Sequence, residues 1–106
     1  MPLLLKLRGV SFGDCQKNIN DLYYKADAKK GEPLNLVREP ENKFDANAIS
    51  VRHSGNHLGY IPREDAVYIA DMIDKGEEII AKLESYNTPK QKNRSWGITV
   101  LLDTKN

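Results

Sequence analysis

Between two apolar runs the chain carries Arg38-Glu39-Pro40-Glu41-Asn42-Lys43-Phe44-Asp45-Ala46-Asn47-Ala48-Ile49, a polar stretch that sets one aromatic ring beside a carboxylate, with amides before and after. An aromatic face stacks on flat partners, a carboxylate accepts hydrogen bonds from hydroxyls and repels other anions, and amides both donate and accept. That is more chemistry than a connector needs. The plain alternative is that Asn42, Asp45 and Asn47 bond their own backbone as Asx turns, which accounts for much of the composition, more readily for Asn47 than for Asp45.

Other chemistries find little support. His53 and His57 are the two imidazoles and flank a turn, and Cys15 lies far from both with no zinc-type spacing. The glycines are scattered singly, so no phosphate-cradling loop opens a helix. Glu39, Glu41, Asp45 and Glu64 could in principle gather around magnesium, but surface acids are solvated by default. No catalytic residue, metal or cofactor is expected, and the chain is read as a non-enzyme.

Leu3, Leu5 and Leu7 share one face of a strand over residues 3–10, interrupted by Lys6 and Arg8. Residues 16–25 place Ile19, Leu22 and Tyr23 at helical spacing, after a turn around Phe12. Leu34, Leu36 and Arg38 alternate with Asn35 and Val37 as a second strand that stops at Pro40. Residues 48–52 predict a third strand, Ser54-Gly55-Asn56 a tight hairpin, and residues 57–61 a fourth. Pro62 suits a first helical position, Ala66, Ile69, Ala70 and Ile73 recur at helical spacing, and Gly76 supplies the stop. Ile79, Ala81 and Leu83 predict a fifth strand, and residues 96–102 a sixth after a polar loop. The order gives a mainly β fold with two helices, in the α+β class, and short antiparallel strands of this number close into a small barrel or sandwich.

With 106 residues, 40% hydrophobic and 29% charged, the chain is expected to be one domain over residues 1–106. A net charge of +1 means that a nucleic-acid partner must be held by a local basic patch and by shape rather than by a global field. One cysteine and the lack of a signal-like or membrane-length apolar run favour a cytoplasmic, unexported protein without a membrane partner.

Leu36-Val37-Arg38-Glu39-Pro40-Glu41-Asn42-Lys43-Phe44-Asp45-Ala46-Asn47-Ala48-Ile49-Ser50-Val51, followed by Leu58-Gly59-Tyr60-Ile61-Pro62-Arg63, resembles the HIRAN domain family. Gly9 to Phe12 and the helix from Ala66 to Gly76 match its layout, with residues 13–30 and the last loop outside the likeness. The resemblance implies a six-stranded OB-like antiparallel barrel that binds single-stranded DNA and captures a free 3′-hydroxyl end. It further implies a place in DNA repair or replication-fork processing, with a helicase or nuclease partner acting in trans.

By position, the resemblance puts Phe12 where a base stacks, Asn42 and Asp45 where the terminal nucleotide is held, and Phe44 where an aromatic lines that pocket. Tyr60 and Arg63 fall at phosphate contacts, and Arg38 completes the implied DNA-binding set. Stacking is worth about 1–3 kcal/mol per base, and a carboxylate accepts a terminal hydroxyl where it would repel a phosphate. Each residue keeps a plainer reading: Phe12 as core at a strand end, Tyr60 as a cross-strand packer, Arg63 as a solvated first-turn residue. Lys90, Lys92 and Arg94 form a basic loop that is either a further DNA contact or merely solvated. The competing class is a protein-interaction or adaptor module in which the Phe44 turn grips a peptide.

Overall fold

The computed structural model describes residues 2–89 and 94–105. In chain order the elements are β1 (Leu3–Lys6), α1 (Cys15–Tyr24), β2 (Pro33–Arg38), β3 (Ile49–His53), β4 (Asn56–Tyr60), α2 (Arg63–Asp74), β5 (Ile79–Asn87) and β6 (Gly97–Thr104). The six strands form one antiparallel sheet in the order β1-β6-β5-β2-β3-β4, curled into a half-barrel. All the elements expected from the pattern are present, with their edges moved by a few residues.

The N-terminal strand is the largest such shift, and its cause bears on the site. The regular pairing of β1 with β6 ends at Lys6, opposite Thr99. The Leu7 amide still donates to Ile98, but Arg8 changes partner and makes a reciprocal bridge to Tyr60 of β4, N···O 2.8 Å in each direction. Gly9 then turns the chain away at φ +68°. One short segment therefore fastens the two outer strands of the curled sheet to each other. Close approach at this seam favours glycine opposite it: a Cβ on Gly59 would lie 3.0 Å from the Arg8 carbonyl oxygen, tight enough that the neighbouring chain would have to give.

The alternation in β1 puts Leu5 and Leu7 in the core with Leu4 outside. They meet Ile49, Val51, Leu58, Leu83, Ile98, Val100 and Leu102, and each such side chain fully buried stabilises the fold by about 1.5–3 kcal/mol. From α1 the core takes Cys15, Ile19 and Leu22. Tyr23, expected on that face, is instead exposed, because Cys15, four residues before Ile19, completes the apolar stripe. From α2 it takes Ala66, Ile69 and Ala70.

The punctuation of these elements follows their residue types. Ser54 and Gly55 both have positive φ, +49° and +83°, as a two-residue hairpin turn of the mirror-image kind requires. Pro62 is the cap before α2 rather than its first helical residue: its ψ of 138° is extended, and its carbonyl receives the Asp65 and Ala66 amides. Gly76, at φ +92°, ends α2 as expected, with its amide bonded to Ile73 and that of Glu77 to Met72. This pair of bonds is the Schellman closure that favours glycine.

Candidate nucleic-acid interface

The stretch from Glu39 to Ala48 is a built turn. Its ends are tied by the Glu39 amide to the Ala48 carbonyl at 2.9 Å, and inside it Asn42 Oδ1 accepts the amides of Phe44 (2.9 Å) and Asp45 (3.2 Å). Asp45 Oδ1 accepts the amide of Asn47 at 2.9 Å. The Asx alternative thus describes Asn42 and Asp45, whereas the sequence favoured Asn47 for it. Asn42 is fixed from its other end as well, because its Nδ2 donates to Glu39 Oε1 at 3.0 Å. The same carboxylate oxygen receives the Tyr60 hydroxyl at 2.9 Å.

Electrostatics keep this arrangement in one protonation state. Burial pushes the Glu39 carboxyl up, but hydrogen bonding from Asn42, Tyr60 and Ser50, with the charge of His57, together outweighs it and holds the group below its ordinary value. Burial and the adjacent Glu39 push the Tyr60 hydroxyl above its usual range. Burial, with Arg52 nearby, holds His57 down, and its ring packs edge-on to Tyr60 at 4.7 Å between centroids. Glu39 is therefore an ionised acceptor and Tyr60 a neutral donor at neutral pH.

What this framework holds out is aromatic. Phe44 is 86% exposed and Phe12 71%, the latter carried on a turn closed by its own amide to the Gly9 carbonyl at 3.0 Å. Both border an open groove of about 430 Å³ that is also lined by Arg8, Gly9, Asn42, Asp45, Ala48, Tyr60, Ile61 and Arg63. Phe12 is thus a surface residue and not core. The Arg63 guanidinium reaches over the turn, donating from Nη2 to the Phe44 carbonyl at 3.3 Å, with Nε 3.7 Å from Asp45 Oδ2.

Six of the seven residues singled out from the sequence therefore meet at one groove. Arg38 does not line it. Its side chain is 15% exposed, and the guanidinium is clamped by both oxygens of Asp74 at 3.0 and 3.1 Å and donates to the Ala46 and Ala48 carbonyls. It holds the turn against α2 through these bonds. Tyr60 presents its ring, while its hydroxyl proton is committed to Glu39. Arg8 lines the groove and was not singled out from the sequence. The one signal available was its outward place in the alternation over residues 3–10. Lys90 and Lys92 lie outside the described residues, and Arg94 borders a separate groove with Lys6, Val10 and Trp96.

Three of the four acids weighed as a magnesium site have separate partners: Glu39 serves Asn42 and Tyr60, Asp45 faces Arg63, and Glu64 faces Arg8. Among the described residues no group of three or more potential metal ligands comes together. No helix among them is long and apolar enough to cross a membrane.

A curled six-stranded sheet with two helices, presenting bare aromatic rings and guanidinium groups around an open groove, is the make-up of a small binding domain. The chain belongs to the HIRAN domain family, whose model matches residues 13–105. That span includes residues 13–30, which the sequence likeness had left out, and begins one residue after Phe12. DNA binding is in keeping with the family.

Among curated relatives, helicase-like transcription factor of Oryctolagus cuniculus is 37% identical over 71 residues, covering 65% of this chain. The Mus musculus protein of the same name is 39% identical over 67 residues, covering 61%. The chain spans 7% of the length of either. A Fanconi-associated nuclease 1 homolog of Oryza sativa subsp. japonica is 37% identical over 51 residues, which cover 44% of this chain and 5% of that protein. The crystal structure of the HIRAN domain of human HLTF superposes with a TM-score of 0.68 at 22% identity, covering 97% of this chain and 74% of that one. A Lactobacillus plantarum protein gives a TM-score of 0.65 at 22% identity, covering 97% of each chain.

Proposed function

We propose that the groove binds single-stranded DNA and seats a free 3′-hydroxyl end, and that through this the domain acts in DNA repair or replication-fork processing without a reaction of its own. The observation that carries the reading is the pair of bare rings, Phe12 and Phe44, bordering one groove with a carboxylate and a guanidinium. Exposed rings offer stacking faces to unpaired bases, and the arginines suit the backbone phosphates. Asp45 has one oxygen engaged with the Asn47 amide, and the other, beside Arg63, supports a role as acceptor for a terminal hydroxyl. That the matched relatives include a protein named for helicases and another named as a nuclease supports a partner of either kind acting in trans.

Fluorescence anisotropy with a short strand ending in 3′-hydroxyl, against the same strand ending in 3′-phosphate, tests the reading directly. The hydroxyl strand should bind more tightly, and Asp45→Ala should abolish the difference; equal binding of the two ends by the wild type sinks end capture. The groove's alternative occupant is a peptide held by Phe44, a reading favoured by the net charge of +1. Binding to single strands that weakens as salt rises separates the two, because phosphate contacts release counterions.

A further inference from the structure

The rim of the groove carries two arginines, and each is answered by a carboxylate of the same chain. Arg63 faces Asp45 at 3.7 Å, and Arg8 Nη2 lies 3.2 Å from Glu64 Oε1 in the first turn of α2. The backbone of Arg8 is fixed by its reciprocal bridge to Tyr60, and the residue lines the groove. Its guanidinium is nevertheless free to change partner. The side chains of Arg8 and Glu64 are 68% and 65% exposed, and a pair so solvated is worth only about 0.2–1 kcal/mol. A phosphodiester brings a full negative charge and two oxygens that match the guanidinium fork, whereas Glu64 meets Arg8 through one oxygen.

We propose, on the reading of the groove given above, that Arg8 is an additional phosphate-binding residue and that Glu64 is its built-in competitor, setting how tightly the nucleic-acid backbone is held. Glu64 has a separate reason to be tolerated where it stands, since a carboxylate in the first turn favours the helix. Substitution by glutamine removes the competing charge while keeping the side chain's length. The pairing also explains how a groove meant for an anion sits in a chain of net charge +1: the ligand-free rim is neutralised locally and is uncovered only as phosphate arrives.

Anisotropy titrations of a 3′-hydroxyl single strand between about 50 and about 200 mM salt test this. Arg8→Gln should weaken binding about three- to tenfold and reduce the slope of log affinity against log salt by about 0.7, the value of one phosphate contact on a single strand. Glu64→Gln should tighten binding about two- to fivefold, the range set by a solvated ion pair. In the Arg8→Gln background Glu64→Gln should do nothing. Persistence of its gain there would assign the effect to bulk charge and overturn the proposal, as would an unaltered affinity and slope in Arg8→Gln. Arg8→Lys, which keeps the charge and loses the fork, guards against misfolding and should retain the slope while losing part of the affinity. If the wild type binds and depends on Phe44 yet ignores Arg8, this proposal alone fails; if the wild type binds no single strand, the reading of the groove fails and takes the proposal with it.

Discussion

Two aromatic regions of the molecule use the same kind of ring to opposite ends. At the C-terminal end of α1, Tyr23, Tyr24, Tyr86 and Trp96 contact one another edge to face, with centroids 4.9–6.4 Å apart, and the Tyr86 hydroxyl donates to the Ala28 carbonyl at 2.8 Å. Trp96 is also tied to α1 by Gln16, whose side chain bonds both its amide and its carbonyl at 2.8 Å. Phe12 and Phe44, by contrast, make no ring pair among the described residues and stand in solvent. Rings that satisfy each other stabilise a fold, whereas rings held out by a rigid turn are left for a partner. Exposure alone is therefore a poor guide, since Tyr24 is also exposed yet has ring neighbours.

Mutation can break this contrast. Trp96→Ala should cost the most, about 2–3 kcal/mol of stability for a partly buried aromatic with several neighbours, read as a lowered midpoint in urea. Phe44→Ala should leave the stability within about 0.5 kcal/mol of the wild type, as a surface change does. It should weaken single-strand binding by about 1–3 kcal/mol, the worth of one stacked base. An unstable but binding-competent Phe44 variant would reverse the roles of the two regions.

Tyr60→Phe should have a smaller effect, about 1–2 kcal/mol, because it removes one hydrogen bond to a charged acceptor. The cost should depend on pH. Glu39 is held below its reference value of 4.5, so the stability it contributes is present above about pH 4.5 and is lost as pH falls through its lower folded value. Melts at neutral pH and in acid below the folded Glu39 value should show the Tyr60→Phe penalty shrinking in acid. An equal penalty at both would mean that the hydroxyl does not serve an ionised Glu39.

The strands, both helices and the Phe44 turn were legible because their signals are local: period-two leucines in β1, the stop at Gly76, the amides and carboxylate packed between two strands. What escaped depends on partners distant in sequence. Arg38 reads as a free cation until Asp74, 36 residues on, is brought against it. Arg8 reads as an ordinary outward strand residue until Glu64 and Tyr60 arrive beside it. Tyr23 fits a helical stripe as well as Cys15 does, and only packing against the sheet decides between them. Adjacency along the chain carries no information on which way the Arg38 guanidinium is drawn, so its clamp on Asp74 could not be read from the turn alone.

The Arg8–Tyr60 bridge has a further consequence for the order in which the molecule is made. It joins residues 52 apart, and the segment that forms it is anchored through β1 to β6 at the far end of the chain, with Leu3 opposite Leu102. Contacts so distant in sequence carry the largest loop-closure cost and form late. Phe12, Gly9 and Arg8 hang on that late closure, while the Phe44 turn rests on the neighbouring strands β2 and β3. On loop-closure grounds one wall of the groove is expected from early, local folding and the other only once both ends of the chain have met, which would make an intact groove a signature of the completed fold.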